Sequence, residues 1–256
     1  MDPFSFAALA GVAFLAATVQ AATGFGFAIM AVPFFLAIMG SLAAIQVTAV
    51  INFVISLVLI PRLLKGAPRR LIMYLITGSV IGFPIGLAAF RAADLASAKI
   101  FAGTFITAFA MFLLIREWRM HATNSRPERR RAAPFVEKPV VEIGVGIVSG
   151  AMAVALAMPG PVVVLYLLAR HTGKQISRAA TLILFGFSYG AVSLVHTMWG
   201  GMTGGSWLLA AQLAPFVIAG AGVGHYATRY LSEELFRSVV LAILIASGLY
   251  AIWSAF

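Results

Sequence analysis

Cysteine is absent from this sequence. Disulfides, thiolate metal sites and cysteine nucleophiles are therefore excluded, while the compartment is left open. Charge is scarce: Asp, Glu, Lys and Arg together make up 10% of the 256 residues. A soluble domain carries about 25%. No long soluble domain is present either, since the largest polar stretch is 117–139. Acids are the rarest charge, eight against 18 basic residues, and none stands deep in an apolar stretch; Glu142 lies near the end of one. Recognisable catalytic patterns are missing. There is no His-Glu-x-x-His, no Gly-x-Ser-x-Gly and no P-loop. Gly24-Phe25-Gly26 follows no strand and so is no dinucleotide fingerprint. No enzyme, cofactor or metal site is expected. The start, Met1-Asp2-Pro3, lacks the basic region of a signal peptide.

What remains is apolar: 62% hydrophobic residues, with a mean hydropathy of +1.01. Only a polytopic membrane protein fits, an all-α chain with the lipid bilayer as its solvent. Ten apolar segments are predicted, at 4–21, 24–39, 42–60, 70–90, 98–116, 140–157, 160–170, 176–199, 206–228 and 235–254. A full crossing takes about 20 residues. The stretches 4–39 and 140–170 are each too long for one crossing and short for two. Each is interrupted, the first at Ala22-Thr23-Gly24-Phe25-Gly26-Phe27 and the second at Met158-Pro159-Gly160-Pro161.

The net charge of +10 does not point to nucleic acid, because it sits in short loops between apolar runs. Every basic residue except Arg91 and Lys99 falls in four loops that can share one side. By the positive-inside rule that side is cytoplasmic, which puts the protein in the cell (inner) membrane with both termini outside. Residues 117–139 then read as a basic cytoplasmic linker.

An internal repeat follows. Gly82, Gly86, Arg91 and Lys99 recur at one constant offset as Gly220, Gly224, Arg229 and Arg237. The first half is 1–116: a broken pair at 4–39, then helices at 42–60, 70–90 and 98–116. The second is 140–256: a broken pair at 140–170, then helices at 176–199, 206–228 and 235–254. Three crossings beside each broken, possibly re-entrant pair make the halves antiparallel, as inverted repeats are. Such repeats bind substrate at discontinuous helices between the halves.

The breaks are the expected site. A helix beginning at Gly26 or Gly160 presents free amides and a partial positive charge, an anion site that needs no charged side chain. Pro161 suits a first helical turn. Thr23, Gly24, Phe25, Gly26, Gly160 and Pro161 are therefore candidate ligand contacts, with Thr48, Asn52 and Thr181 as neutral hydrogen-bonders nearby. Gln20 and Gln46 are of the same kind, though any of these also suits helix–helix bonding. Arg178 either draws anions to a break or serves only as positive-inside charge. His196 either carries a coupling proton or packs at the interface. A transporter of cations would need a buried carboxylate, so the substrate expected is a small anion.

The sequence Gly24-Phe25-Gly26-Phe27-Ala28-Ile29-Met30-Ala31-Val32-Pro33 resembles the glycine-rich stretch of the sulfite exporter TauE/SafE family of membrane permeases. Gly160-Pro161-Val162-Val163 matches its second copy. Ile45-Gln46-Val47-Thr48 and Arg178-Ala179-Ala180-Thr181 resemble the element that follows each copy. Both copies here hold fewer glycines than the family pattern. The resemblance implies transport of small sulfur oxyanions or organosulfonates. Two other readings stay open: an exporter of neutral or lipophilic metabolites, and a membrane subunit that transports nothing. A homodimer is also left open.

Overall fold

The computed structural model describes residues 1–60, 67–122, 138–170, 174–227 and 233–255. Among them are ten helices and no strand. They are α1 (Pro3–Thr23), α2 (Phe27–Met39), α3 (Ala43–Leu59), α4 (Arg69–Ala92), α5 (Leu95–Ala122), α6 (Pro139–Leu156), α7 (Gly160–Ala169), α8 (Lys174–Met198), α9 (Gly204–Ala227) and α10 (Glu233–Trp253). Within α1, α4, α5, α6, α8 and α9 lie six spans long and apolar enough to cross a membrane. The protein is an all-α, multi-pass membrane protein. Most of the linker 117–139 lies outside the described residues, as do Arg62, Lys65, His171 and Arg229.

The boundaries have local causes. Asp2 caps α1 by accepting from the Ser5 amide at 2.9 Å, and Pro3 fills the first position. Gly24 ends α1 and Gly40 ends α2, both with left-handed backbones. α5 runs past the apolar segment 98–116 to Ala122, through Glu117-Trp118-Arg119. Hydropathy marks where lipid ends, whereas Glu and Arg are good helix formers that extend the helix into water.

Helix packing runs across the two parts of the chain. α4 lies along α6, α1 along α9, α3 along α8 and α5 along α10. The recurring glycines explain the two closest pairs. A Cβ at Gly82 would strike the Ile147 carbonyl of α6 and one at Gly86 the Ala151 carbonyl. On α9, a Cβ at Gly220 would strike the Phe14 carbonyl of α1, and one at Gly224 the Thr18 carbonyl. Each Gly-x-x-x-Gly lets its helix meet the first helix of the other part, backbone to backbone. Hydroxyls line the same seams: the one Thr18 proton serves the Phe14 carbonyl of its own helix at 2.9 Å or the Gly220 carbonyl at 3.0 Å, and that of Ser79 the Leu75 carbonyl at 2.9 Å or the Gly146 carbonyl at 3.3 Å.

The two helix breaks as a candidate anion site

The first break begins with two glycines that no other residue replaces cheaply. Gly24 has φ +90° and Gly26 φ +111°. Between them the Thr23 hydroxyl accepts from the Phe25 amide at 3.2 Å. Its single proton serves the Val19 carbonyl, 2.9 Å away, or the Phe25 carbonyl. Gln20, buried at the end of α1, accepts from the Phe27 amide at 3.1 Å and so caps α2. That bond fixes which way the Gln20 amide points. Its Nε2 is then a buried donor without a partner.

Arg178 enters this break from α8. Its guanidinium donates to the Ala21 carbonyl at 2.7 Å, near the C-terminal end of α1. Its stem fills the space beside Gly24, where a Cβ would come within 2.8 Å of Arg178 Cγ. Arg178 Nε is also buried and unmatched. The amides of Ala28 and Ile29 add to this set, because the first helical turn gives them no intrahelical acceptor. The two buried, unmatched side-chain atoms at the first break, Gln20 Nε2 and Arg178 Nε, are both donors. No acid occurs in α1, α2 or α8.

The second break is more filled. Ala157 takes a left-handed conformation, φ +55°, and α7 starts at Gly160 with Pro161 in its first turn. The carbonyls at the end of α6 are met by side chains. Tyr189 donates to Ala157 at 3.0 Å and Ser149 to Pro159 at 2.8 Å. His196 Nε2 lies 3.0 Å from the Val154 carbonyl, which can only accept, so this nitrogen carries the proton. The imidazole packs edge-on against Phe90 with centroids 4.4 Å apart. This geometry makes His196 a clamp between α8 and α6. The Phe185 ring covers Gly160, where a Cβ would meet its tip at 2.7 Å.

The candidate residues therefore fall into two groups. Arg178 joins Thr23, Gly24, Phe25 and Gly26, with Thr181 buried one turn along α8. Gly160, with Pro161 next to it in the chain, lies against Phe185, about 10 Å further along α8 by helical rise. On α3 the Thr48 hydroxyl bonds its own helix at Ala44, 2.7 Å away. Asn52 donates to the Thr48 carbonyl at 3.2 Å and keeps a buried, unmatched Oδ1. Arg91 and Lys99 are helix caps: Arg91 bonds the Trp199 carbonyl after α8, and Lys99 the Ser254 carbonyl after α10 at 2.8 Å.

Two residues gain weight that the sequence did not give them. Gln20 is a cap with a spare donor. Glu142, placed by sequence near a segment end, is fully buried. α4 and α7 both pack on α6, and α7 brings the Tyr166 hydroxyl to within 2.9 Å of Glu142. Sequence distance from a helix end gives no sign of such packing.

Among the described residues no cluster of His, Asp or Glu suits a metal. Searches of curated proteins and of solved structures return no match. The profile of the family described as sulfite exporter TauE/SafE matches residues 9–251, nearly the whole chain. The chain belongs to the sulfite exporter TauE/SafE family, whose members are membrane transporters of sulfur-containing anions.

Proposed function

We propose that this protein is a secondary transporter of a small anion, sulfite or an organosulfonate. It works by alternating access between inverted halves, residues 1–116 and 140–256. One observation carries the reading: Arg178 crosses from the second half to the first break, where the two unmatched buried side-chain atoms, Gln20 Nε2 and Arg178 Nε, are donors. Donors left without partners cost free energy that an oxyanion recovers. Bonds from guanidinium and helix-terminal amides to such a ligand are charge-assisted. The arriving anion competes with the Ala21 carbonyl for Arg178. Releasing that carbonyl frees α1 from α8 and so links occupancy to movement between the halves.

The inverted relation is supported by packing that exchanges: α4 on α6 answers α9 on α1, with glycine pairs at corresponding places. The basic loops face the cytoplasm of the cell in this reading, and the first break opens toward them. His196 in this scheme holds α8 to α6 rather than carrying the coupled ion.

The experiment is a thermal-shift panel on purified protein with sulfite, sulfate, thiosulfate, sulfoacetate and acetate. A ligand selective for the native state raises Tm as its concentration passes Kd. Sulfur oxyanions or sulfonates should stabilise the protein and acetate should not. Arg178→Leu should weaken that response about tenfold to a hundredfold, since a charged hydrogen bond contributes about 1.5–3 kcal/mol. Stabilisation by none of these anions, together with no flux after reconstitution, would leave the non-transporting reading in its place.

A further inference from the structure

α4 and α6 run side by side in the same direction. A Cβ at Gly78 would come within 2.8 Å of Gly146 Cα, one at Gly150 within 2.5 Å of Ser79 Cα, and one at Gly86 within 2.9 Å of Val154 Cβ. Residue numbers therefore rise together along the seam. Eight residues before Gly78 and Gly146, about 12 Å back by helical rise, stand Arg70 and Lys138. Arg69 opens α4 and Lys138 directly precedes α6. Glycines on both helices bring these backbones close together. Three cations from the two parts of the chain are thus gathered at one end of one seam, and all three are exposed.

The surroundings keep the sign of this patch. α4 and α7 contain no acid, and the one acid of α6, Glu142, is fully buried and bonded to Tyr166. Just inside the cations the surface turns apolar. Met73 on α4 is 65% exposed, and Val140 and Val141 on α6 are 85% and 47% exposed. Cations at the rim of an apolar face that meets lipid match an amphiphile with an anionic head. The substrate anion is a poor occupant. Gly160, at the second break, lies at the far end of α7 from Arg170, about 15 Å away by helical rise.

We propose that this end of the α4–α6 seam binds an anionic glycerophospholipid, its phosphate among Arg69, Arg70 and Lys138 and its acyl chains along Met73, Val140 and Val141. The planar guanidinium forks of the two arginines suit phosphate oxygens, and the Lys138 ammonium adds a point charge. Basic clusters between membrane helices are built for such headgroups. α4 lies in the part before the linker and α6 in the part after it, so one bound lipid fastens both parts where they touch. This holds whether or not the protein carries an anion across the membrane.

The test uses the purified full chain in zwitterionic detergent. Phosphatidylglycerol, phosphatidylcholine and inorganic phosphate are titrated in turn. Native mass spectrometry reads retained lipid and a melting curve reads stability. Phosphatidylglycerol should be retained and should raise the midpoint, whereas phosphatidylcholine and phosphate should do neither. Arg69→Gln, Arg70→Gln and Lys138→Gln together should weaken phosphatidylglycerol binding on the order of a hundredfold, at about fivefold for each cation. Removing the same charge from the linker, in Arg129→Gln, Arg130→Gln and Arg131→Gln together, should leave binding unchanged. Equal weakening by both triple variants means diffuse attraction and overturns the proposal. So does equal retention of phosphatidylcholine, or a phosphate response that matches the lipid's. If the seam triple variant does not fold, Lys138→Gln alone decides: binding about fivefold weaker supports the site, and unchanged binding overturns it.

Discussion

At the residue scale the first break turns on a glycine constrained twice. Gly24 needs its left-handed backbone, and it needs the space that Arg178 occupies. Gly26 needs only the backbone, since the nearest atom to a Cβ there is Val19 Cγ1 at 3.5 Å. Gly24→Ala should therefore cost more than Gly26→Ala, whose strain alone is about 1–2 kcal/mol. The expected measurement is a thermal midpoint for Gly24→Ala several degrees lower than for Gly26→Ala, together with weaker anion stabilisation in Gly24→Ala alone. Equal midpoints and equal ligand responses would mean that Arg178 is not held at this position. Outside the membrane spans, Asp94 caps α5, accepting from the Ser97 amide at 2.8 Å. Hydrogen bonds from Ser97, hydroxyl and amide, hold its carboxyl below the usual value. A depressed folded-state pKa gives stability that is present above the unfolded value of 3.8 and lost as pH falls through the lower folded value. The protection of the Ser97 amide, its exchange rate relative to the unstructured rate at the same pH, should fall through that acid window, and Asp94→Ala should remove that change in protection.

At the element scale, close helix contact does the work that hydrophobic sorting does in water. Lipid tails are as apolar as leucine, so helix pairs gain mainly by van der Waals fit and hydrogen bonds. The α4–α6 seam shows this in Gly78, Gly82, Gly86, Gly146 and Gly150, each packed against backbone. Gly150→Ala should be strongly destabilising in detergent, because its Cβ would strike the Ser79 carbonyl. Gly144 and Gly222 have open space beside them. Alanine at either should be neutral, or stabilising by up to about 1 kcal/mol through helix propensity. A matched series of midpoints tests the seam, and similar losses at Gly144 and Gly150 would contradict it. The same scale shows where sequence reading falls short. The interruptions at Gly24 and Gly160 are visible as chemistry, because glycine and proline break helices wherever they stand. The length of α5 is not, because the signal used was hydropathy while the helix continues on propensity. The burial of Glu142 is hidden for a further reason: it depends on other helices, α4 and α7, that pack on α6.

At the scale of the whole molecule, topology follows from charge and packing together. In the proposed orientation the loops with Ser41 and Asp94 share one side and Arg69 takes the other; all three residues are exposed. Since the native chain has no cysteine, single cysteines report cleanly. In intact cells an impermeant thiol reagent should label Ser41→Cys and Asp94→Cys, but Arg69→Cys only after the membrane is opened. Labelling of all three from outside would overturn the orientation.

The sequence by itself determined the class of protein, the place of its helices, the two interruptions and the resemblance that the family profile bears out. These are local properties: hydropathy, glycine and proline chemistry, and short motifs act through neighbouring residues. Only the tertiary structure decided that Arg178 meets Ala21 and Gly24, that Phe185 closes over Gly160, and that Glu142 is buried beneath Tyr166. Each of these joins different helices, and the Arg178 bond to Ala21 spans 157 residues of chain. Periodicity fixes which face of a helix is apolar, but which helix packs on that face depends on the close approach of backbones at glycines such as Gly82 and Gly224.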